Sequence, residues 1–296
     1  MVGLLYGRKL SGAWNAYVYL ALFALLSITN PAQAQNQTIG AGLEGQALID
    51  YLQQNYTPAQ TLGYDNARDI MYGIIDNVNG NVSGVYTGYT ITLDPNADPS
   101  TDAYNKGINA EHTWPQSMGA GVEPQRSDLH HLFPTKSNVN SARNNDPLGE
   151  IDDNLTDTWY YLDQSQSSIP TNNIDLYAEN YGSTAFEPRE QHKGNAARAV
   201  FYFNAIYQSA ATQSFFELQK DDLYQWHYAD PVDAAELARS SSIAGYQGNE
   251  NPFILDTSLV RRAFFPDGNT GTPDITPPVI SSVQAGNIGS NSATIT

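Results

Sequence analysis

"NAEHTWPQSMGAGVEPQRSDLHHLFPTKSNVNSARNNDPLG", residues 109–149, holds His112, His130 and His131, three of the five histidines in the chain, together with Glu111, Asp128, Arg126, Asn140, Arg143 and Asn144. Taken singly, each side chain has an ordinary structural use. Asn140 and Ser141 suit a helix start, where Asn and Ser accept from free N–H groups; Asp128 suits a turn, and Trp114 and Leu132 suit a core. Together they form the mixture of acid, base and oxygen donor that a reaction centre requires. Glu111 and His112 are neighbours, so in an extended strand their side chains point to opposite faces. Adjacency alone therefore does not place both on one metal ion.

The flanking sequence predicts a mixed α and β domain. "GLEGQALIDYLQQNY" (42–56) and "ARDIMYGIIDNV" (67–78) carry apolar residues at helical intervals. "GVYTGYTITL" (84–93) has the aromatic and β-branched content of a strand. The Asp and Pro content of "DPNADPSTDAY" (94–104) predicts a loop. Asp94, Asn96 and Asp98 imitate the opening of a calcium loop, but Pro99 replaces the Gly at its sixth position and Asn105 its closing Glu, so a solvated turn is expected. "HKGNAARAVFYFNAIYQ" (192–208) is the clearest helix, with Gly194 and Asn195 expected at its start, and "PVDAAELARSSSI" (231–243) predicts another, with Pro231 near its first turn.

The chain ends read as separate modules. Arg8 and Lys9 precede the apolar run Ala16 to Ile28, and Ala32-Gln33-Ala34 has the small-x-small pattern of a cleavage site. Thirteen residues at about 1.5 Å each do not span a bilayer core of roughly 30 Å as a helix. Residues 1–34 are thus expected to be a signal peptide cleaved after Ala34, giving a secreted protein without a membrane association. Residues 35–270 form the expected main domain, 271–279 a Pro-rich linker, and 280–296 two strands around a Gly and Asn turn. This tail resembles the opening of a fibronectin type III domain, which implies that the natural chain continues beyond Thr296.

The formal charge is −17, and removal of Arg8 and Lys9 leaves 12 cations against 31 anions, or −19. That balance argues against a sequence-reading DNA binder, whose affinity rests on neutralising phosphates with Lys and Arg. It leaves room for an enzyme of nucleic acid, because a metal ion supplies positive charge locally. With no cysteine, an exported chain depends on its core rather than on disulfides.

"EHTWPQS", "SDLHHLFPTKSNVNSARNN", "KGNAARAVFYF" and "YQGNENPFI" occur in the order found in the endonuclease I family of secreted bacterial nucleases, and the chain resembles that family over most of residues 43–265. The resemblance implies an α+β fold: a mixed helical domain with a ββα-metal, or His-Me, finger as its active site. It further implies His112 as general base, Glu111 and Asn140 as ligands of one Mg2+ (with Ca2+ or Mn2+ as substitutes), and Arg126 or Arg143 as the phosphate donor. Asp128, His130, His131 and Asn144 would be supporting residues. The implied reaction is sequence-nonspecific hydrolysis of DNA, with RNA as a further substrate, to 5'-phosphate and 3'-hydroxyl ends, and no protein partner is expected. Better-known members of the family rely on disulfides that this chain lacks.

The chemistry fits the assignments. A neutral imidazole, with an ordinary pKa of about 6.5, accepts a proton from water near neutral pH. Carboxylate and amide oxygens suit a hard cation. Two rival readings remain at the level of sequence. One is a zinc hydrolase using His112, His130, His131 and Asp128, although Gln116 stands where a second histidine of an HExxH helix would be. The other is an adhesion or matrix module without catalysis.

Overall fold

Leu48, Ile49 and Leu52 line the buried side of the first helix, α1 (Gly45–Tyr56). The next, α2 (Tyr64–Ile70), runs into a π-helical turn, Met71–Ile75, that buries Met71 and Tyr72. Two short strands, β1 (Asn77–Val78) and β2 (Asn81–Ser83), lead to β3 (Thr90–Thr92), and the three pair antiparallel in that order. Only the end of the strand expected over 84–93 forms, because the chain turns at Val85 to Gly88, where Val85 N–H instead binds Pro134 C=O.

The loop expected over 94–104 is half helix, α3 (Pro99–Asn105). Asp98 caps it by accepting from Thr101 N–H at 2.8 Å, and Pro99 opens its first turn. The Asp and Pro content marks a helix start there rather than an extended turn. Next come β4 (Ile108–His112), β5 (Leu132–Lys136) and α4 (Ser137–Arg143). The two strands are antiparallel, with Ile108 opposite Lys136, Glu111 opposite Phe133 and His112 opposite Leu132.

A meander of β6 (Thr158–Tyr161), β7 (Gln164–Gln166), β8 (Ala178–Tyr181) and β9 (Ala185–Glu187) follows, with strand order β7-β6-β8-β9. The remaining segments are helical: α5 (Glu190–Ile206), α6 (Gln213–Glu217), α7 (Lys220–Ala229), α8 (Ala234–Gln247), α9 (Pro252–Leu255) and α10 (Leu259–Phe264). A final antiparallel pair joins β10 (Ala285–Gly289) to β11 (Ser292–Ile295). The computed structural model describes residues 38–266 and the backbone of 285–289 and 292–295. The expected signal peptide, Pro-rich linker and remainder of the C-terminal module lie outside the described residues.

Helix α5 begins at Glu190, before the Gly194-Asn195 start expected from sequence, and is almost wholly buried. Gly194 is needed for contact instead: a Cβ there would stand 2.1 Å from Asp230 C=O at the end of α7. Helix α8 likewise begins later than Pro231, at a cap made by Asp233 accepting from Glu236 N–H.

Two apolar clusters hold the fold. The larger contains α1, α5 and the aromatic residues Phe201, Phe203, Phe215, Phe216 and Phe253, and the smaller contains Met71, Tyr72, Ile108, Leu129, Leu132 and Ile243. The β4, β5 and α4 segment contributes to both. Trp114 and Val139 enter the first cluster, while Ile108, Leu129 and Leu132 enter the second. Trp114 stacks on Phe203, with ring centroids 4.8 Å apart and planes 12° from parallel. Anchored in both cores, the hairpin and its helix form a rigid base for polar side chains.

Candidate active site

Strand alternation sends Glu111 and His112 to different surroundings, as their adjacency requires. Glu111 is buried, and its Oε1 accepts from Tyr86 O–H at 2.8 Å and meets Arg143 Nε at 3.5 Å. The second contact is an ion pair too long for a hydrogen bond. Burial raises the Glu111 pKa, against the lowering effects of Arg143 and Tyr86. Oε2 carries none of these contacts.

Asn140, on α4, donates through Nδ2 to Asn109 Oδ1 at 2.9 Å and to Ala110 C=O at 3.1 Å. These bonds fix the amide so that its nitrogen faces β4 and its oxygen, Oδ1, has no hydrogen-bond partner among the described residues. One carboxylate oxygen and one amide oxygen are thus left uncommitted on β4 and on the helix that follows the hairpin. This is a donor set for a hard divalent cation with few protein ligands and much water.

His112 faces the other way, toward Tyr64 and His131, whose ring centroids lie 5.4 and 5.6 Å from its own. Its Nε2 is 3.0 Å from Arg126 C=O, an acceptor, so Nε2 carries the proton and Nδ1 the lone pair. The exposed Gln116 amide reaches Nδ1 at 3.4 Å, a long and weak contact. Burial, reinforced by His131, pushes the His112 pKa down to about 3, so the ring is neutral at neutral pH. The arrangement presents an oriented, unprotonated nitrogen. The Arg126 carbonyl stands ready to stabilise positive charge on the ring once Nδ1 takes a proton.

Asp128, His130 and His131 build the wall behind this group. Asp128 is fully buried and accepts from Tyr202 and Tyr207 O–H, Gln247 Nε2–H and His130 N–H at 2.7 to 3.0 Å. Burial opposes its charge, but the histidines and donors around it hold its pKa below the ordinary value. His130 Nε2 binds Asn249 C=O, and His131 Nε2 binds Gln125 C=O. Among the described residues no three His, Cys, Asp or Glu side chains converge on a point where a metal would sit. The zinc arrangement of His112, His130, His131 and Asp128 is therefore not formed, because the two rear histidines spend their Nε2 atoms on backbone.

Arg143 also differs from its expected place. It is 1% exposed, and its donors go to the carbonyls of Thr113, His112 and Asn144. It ties α4 to the end of β4 instead of standing open to a phosphate. Asn144 closes α4 at φ 52°, its N–H returning to Asn140 C=O. Arg126 is partly exposed, lies 4.4 Å over the Tyr64 ring, and among the described residues has neither an acidic partner nor a side-chain hydrogen bond.

With this geometry in view, the comparisons with known proteins are specific. The model of the Endonuclease I family matches residues 43–258. The chain belongs to the endonuclease I family. The extracellular ribonuclease of Bacillus amyloliquefaciens is 31% identical over 163 residues, and that of Bacillus subtilis (strain 168) is 32% identical over 162 residues. Each alignment covers 49% of this chain and 50% of the relative, so the chain spans about half the length of the curated relatives it matches.

Within this endonuclease I chain, the two motif blocks that lack site residues prove to be the site's supports. "YQGNENPFI" supplies Gln247, which bonds Leu129 N–H and Asp128, and Asn249, which bonds His130. "KGNAARAVFYF" supplies Tyr202 to Asp128. Sequence reasoning missed Tyr64, Arg68 and Tyr86. Tyr86 lay inside a presumed strand 25 positions from Glu111, and no spacing rule links the two.

Proposed function

We propose that the chain is a secreted, metal-dependent, sequence-nonspecific nuclease that hydrolyses phosphodiester bonds in DNA and RNA. The carrying observation is that one hairpin and the helix after it carry both a neutral His112 with its lone pair on Nδ1 and the uncommitted oxygens of Glu111 and Asn140. We read the hairpin and helix as a ββα-metal finger. The family match supports the enzyme class, and the names of the Bacillus relatives support RNA among the substrates and export from the cell.

In this reading Glu111 Oε2 and Asn140 Oδ1 hold one Mg2+, for which Ca2+ or Mn2+ substitutes. When bound, the cation offsets negative charge at the scissile phosphate and at the departing 3' oxygen. His112 Nδ1 takes a proton from the attacking water, and the Arg126 carbonyl stabilises the imidazolium that results. Arg126 contributes a guanidinium to the phosphate, a role from which burial removes Arg143. The products are a 5'-phosphate and a 3'-hydroxyl. The antiparallel β10–β11 pair agrees with the two C-terminal strands expected from the sequence. Among the described residues no helix is long and apolar enough to cross a membrane.

The test is cleavage of supercoiled plasmid and of single-stranded RNA in Mg2+ and in EDTA, with His112→Ala alongside. Cutting that requires Mg2+ and falls by about 10²- to 10⁴-fold in the variant is expected. Equal cutting by His112→Ala would remove the base assignment, and an inert wild-type chain would remove the nuclease reading.

A further inference from the structure

A guanidinium without an anion is unusual in a chain of net charge −17. Arg126 is such a group, and a second cation shares its platform. Arg68, on α2, places its guanidinium carbon 4.7 Å from the centroid of the same Tyr64 ring that Arg126 covers at 4.4 Å. The Nε atoms of both arginines are buried and have no hydrogen-bond partner. Among the described residues Arg68 has one ion-pair partner, Asp65, whose side chain is 88% exposed. An exposed pair of that kind is worth little and exchanges easily for a better anion. The Tyr64 ring in turn lies 5.4 Å from His112.

We propose that Tyr64, Arg68 and Arg126 form a phosphate clamp for the substrate strand, with Arg126 on the scissile phosphate and Arg68 on the neighbouring one. The proposal rests on the nuclease reading of the same site and extends it to how the strand is held. Tyr64 is a positioning residue: its ring holds both guanidiniums by cation–π contact, Arg126 with no side-chain hydrogen bond among the described residues and Arg68 able to exchange Asp65 for a phosphate. The guanidinium carbons of Arg68 and Arg126 lie 4.7 and 4.4 Å from one ring centroid, so one aromatic side chain brings both cations to the same stretch of a bound strand. The clamp also explains how a polyanionic protein holds a polyanion without a broad basic face. Contacts are few, local and directed at the backbone, so they carry no sequence preference.

Binding separates the clamp from catalysis. In a His112→Ala background with EDTA, a fluorescently labelled single-stranded 12-mer is titrated at several salt concentrations. Adding Arg68→Ala is expected to weaken binding about tenfold and to lower the slope of log Kd against log salt by roughly 0.7, the loss of one phosphate contact on a single strand. Arg68→Lys restores the slope and only part of the affinity, because lysine is a point charge without the fork. Tyr64→Leu weakens binding with the slope retained. Arg261→Ala, an exposed cation elsewhere, serves as the control and leaves both quantities unchanged.

Cleavage supplies the second readout. With His112 intact and Mg2+ present, Arg68→Ala is expected to raise KM about tenfold on a trinucleotide with two phosphodiesters, with little change in kcat, and to have no effect on a dinucleotide with one. Equal losses on both substrates would mark a structural role for Arg68 and overturn the clamp, as would an unchanged salt slope. Failure of His112→Ala to impair cutting would strike the catalytic assignment and leave the binding result to stand by itself.

Discussion

Tyr86 takes no part in the proposed proton transfer, yet its hydroxyl is the one hydrogen-bond donor on Glu111 among the described residues. With Arg143 Nε held at ion-pair distance, this bond sets which carboxylate oxygen stays open. In the proposed metal site, a group that orients a ligand in this way typically governs metal affinity by about 10- to 100-fold. Tyr86→Phe keeps the ring packed on Phe186 and His192 and removes only the donor. The expected outcome is a rise of that size in the Mg2+ concentration for half-maximal cleavage, with a nearly unchanged rate at saturating metal. A Mg2+ titration that superimposes on wild type would show that Glu111 needs no such support.

Between β4 and β5 the chain has no regular structure beyond two 3-10 turns, Gln116–Met118 and Gln125–Ser127. It nevertheless places the Arg126 carbonyl on His112. What holds this connection is Asp128, joined to α5 and its C-terminal end by Tyr202 and Tyr207 and to α8 by Gln247. Replacing Asp128 by Ala leaves two tyrosine hydroxyls and an amide without their acceptor in a closed site. A loss of about 3–5 kcal/mol is expected, from the cost of orphaned buried donors and the removal of a well-solvated buried charge. Urea denaturation measures it. A midpoint within experimental scatter of wild type would mean that water replaces the carboxylate and that the connection is held elsewhere.

The molecule as a whole has a carboxylate pair whose charge state bears on stability. Glu179 and Glu187 are direct cross-strand neighbours on β8 and β9, and both are buried. Lys193 compensates Glu187 at 2.7 Å, whereas Glu179 has only the Thr156 hydroxyl, at 2.5 Å. Burial pushes Glu179 up to about 8, with Glu187 and Asp153 adding to the rise and Thr156 and Lys193 opposing it. The folded state thus holds its proton more tightly than the unfolded chain, where the carboxyl titrates near 4.5. Its contribution is complete below that value and is lost as pH rises through about 8. Thermal stability is expected to decline over this window. Glu179→Gln should flatten the decline and raise stability at pH 9 by about 2 kcal/mol, a figure reduced for water at the edge of the sheet. Parallel melting curves for the two proteins across pH 5 to 9 would refute the assignment.

Local pattern alone specified much of this protein. The apolar spacing of α1 and of "HKGNAARAVFYFNAIYQ" marked helices, and the order of four motif blocks marked the endonuclease I family. Glu111, His112 and Asn140 were legible as site candidates because the hairpin and helix that carry them are contiguous in sequence. Helix limits were less legible, since α3 forms where Asp and Pro suggested a loop and α5 starts ahead of its glycine. Only the tertiary structure decided which arginine is buried and which is free, which oxygen of Glu111 is engaged, and that Tyr64 gathers two cations beside His112. Most of those outcomes depend on contacts between residues far apart in sequence, such as Tyr86 with Glu111 and Tyr64 with Arg126, with Arg68, one helical turn from Tyr64, the exception. Packing fixes such contacts through burial and hydrogen-bond satisfaction, and neither leaves a periodic trace along the chain.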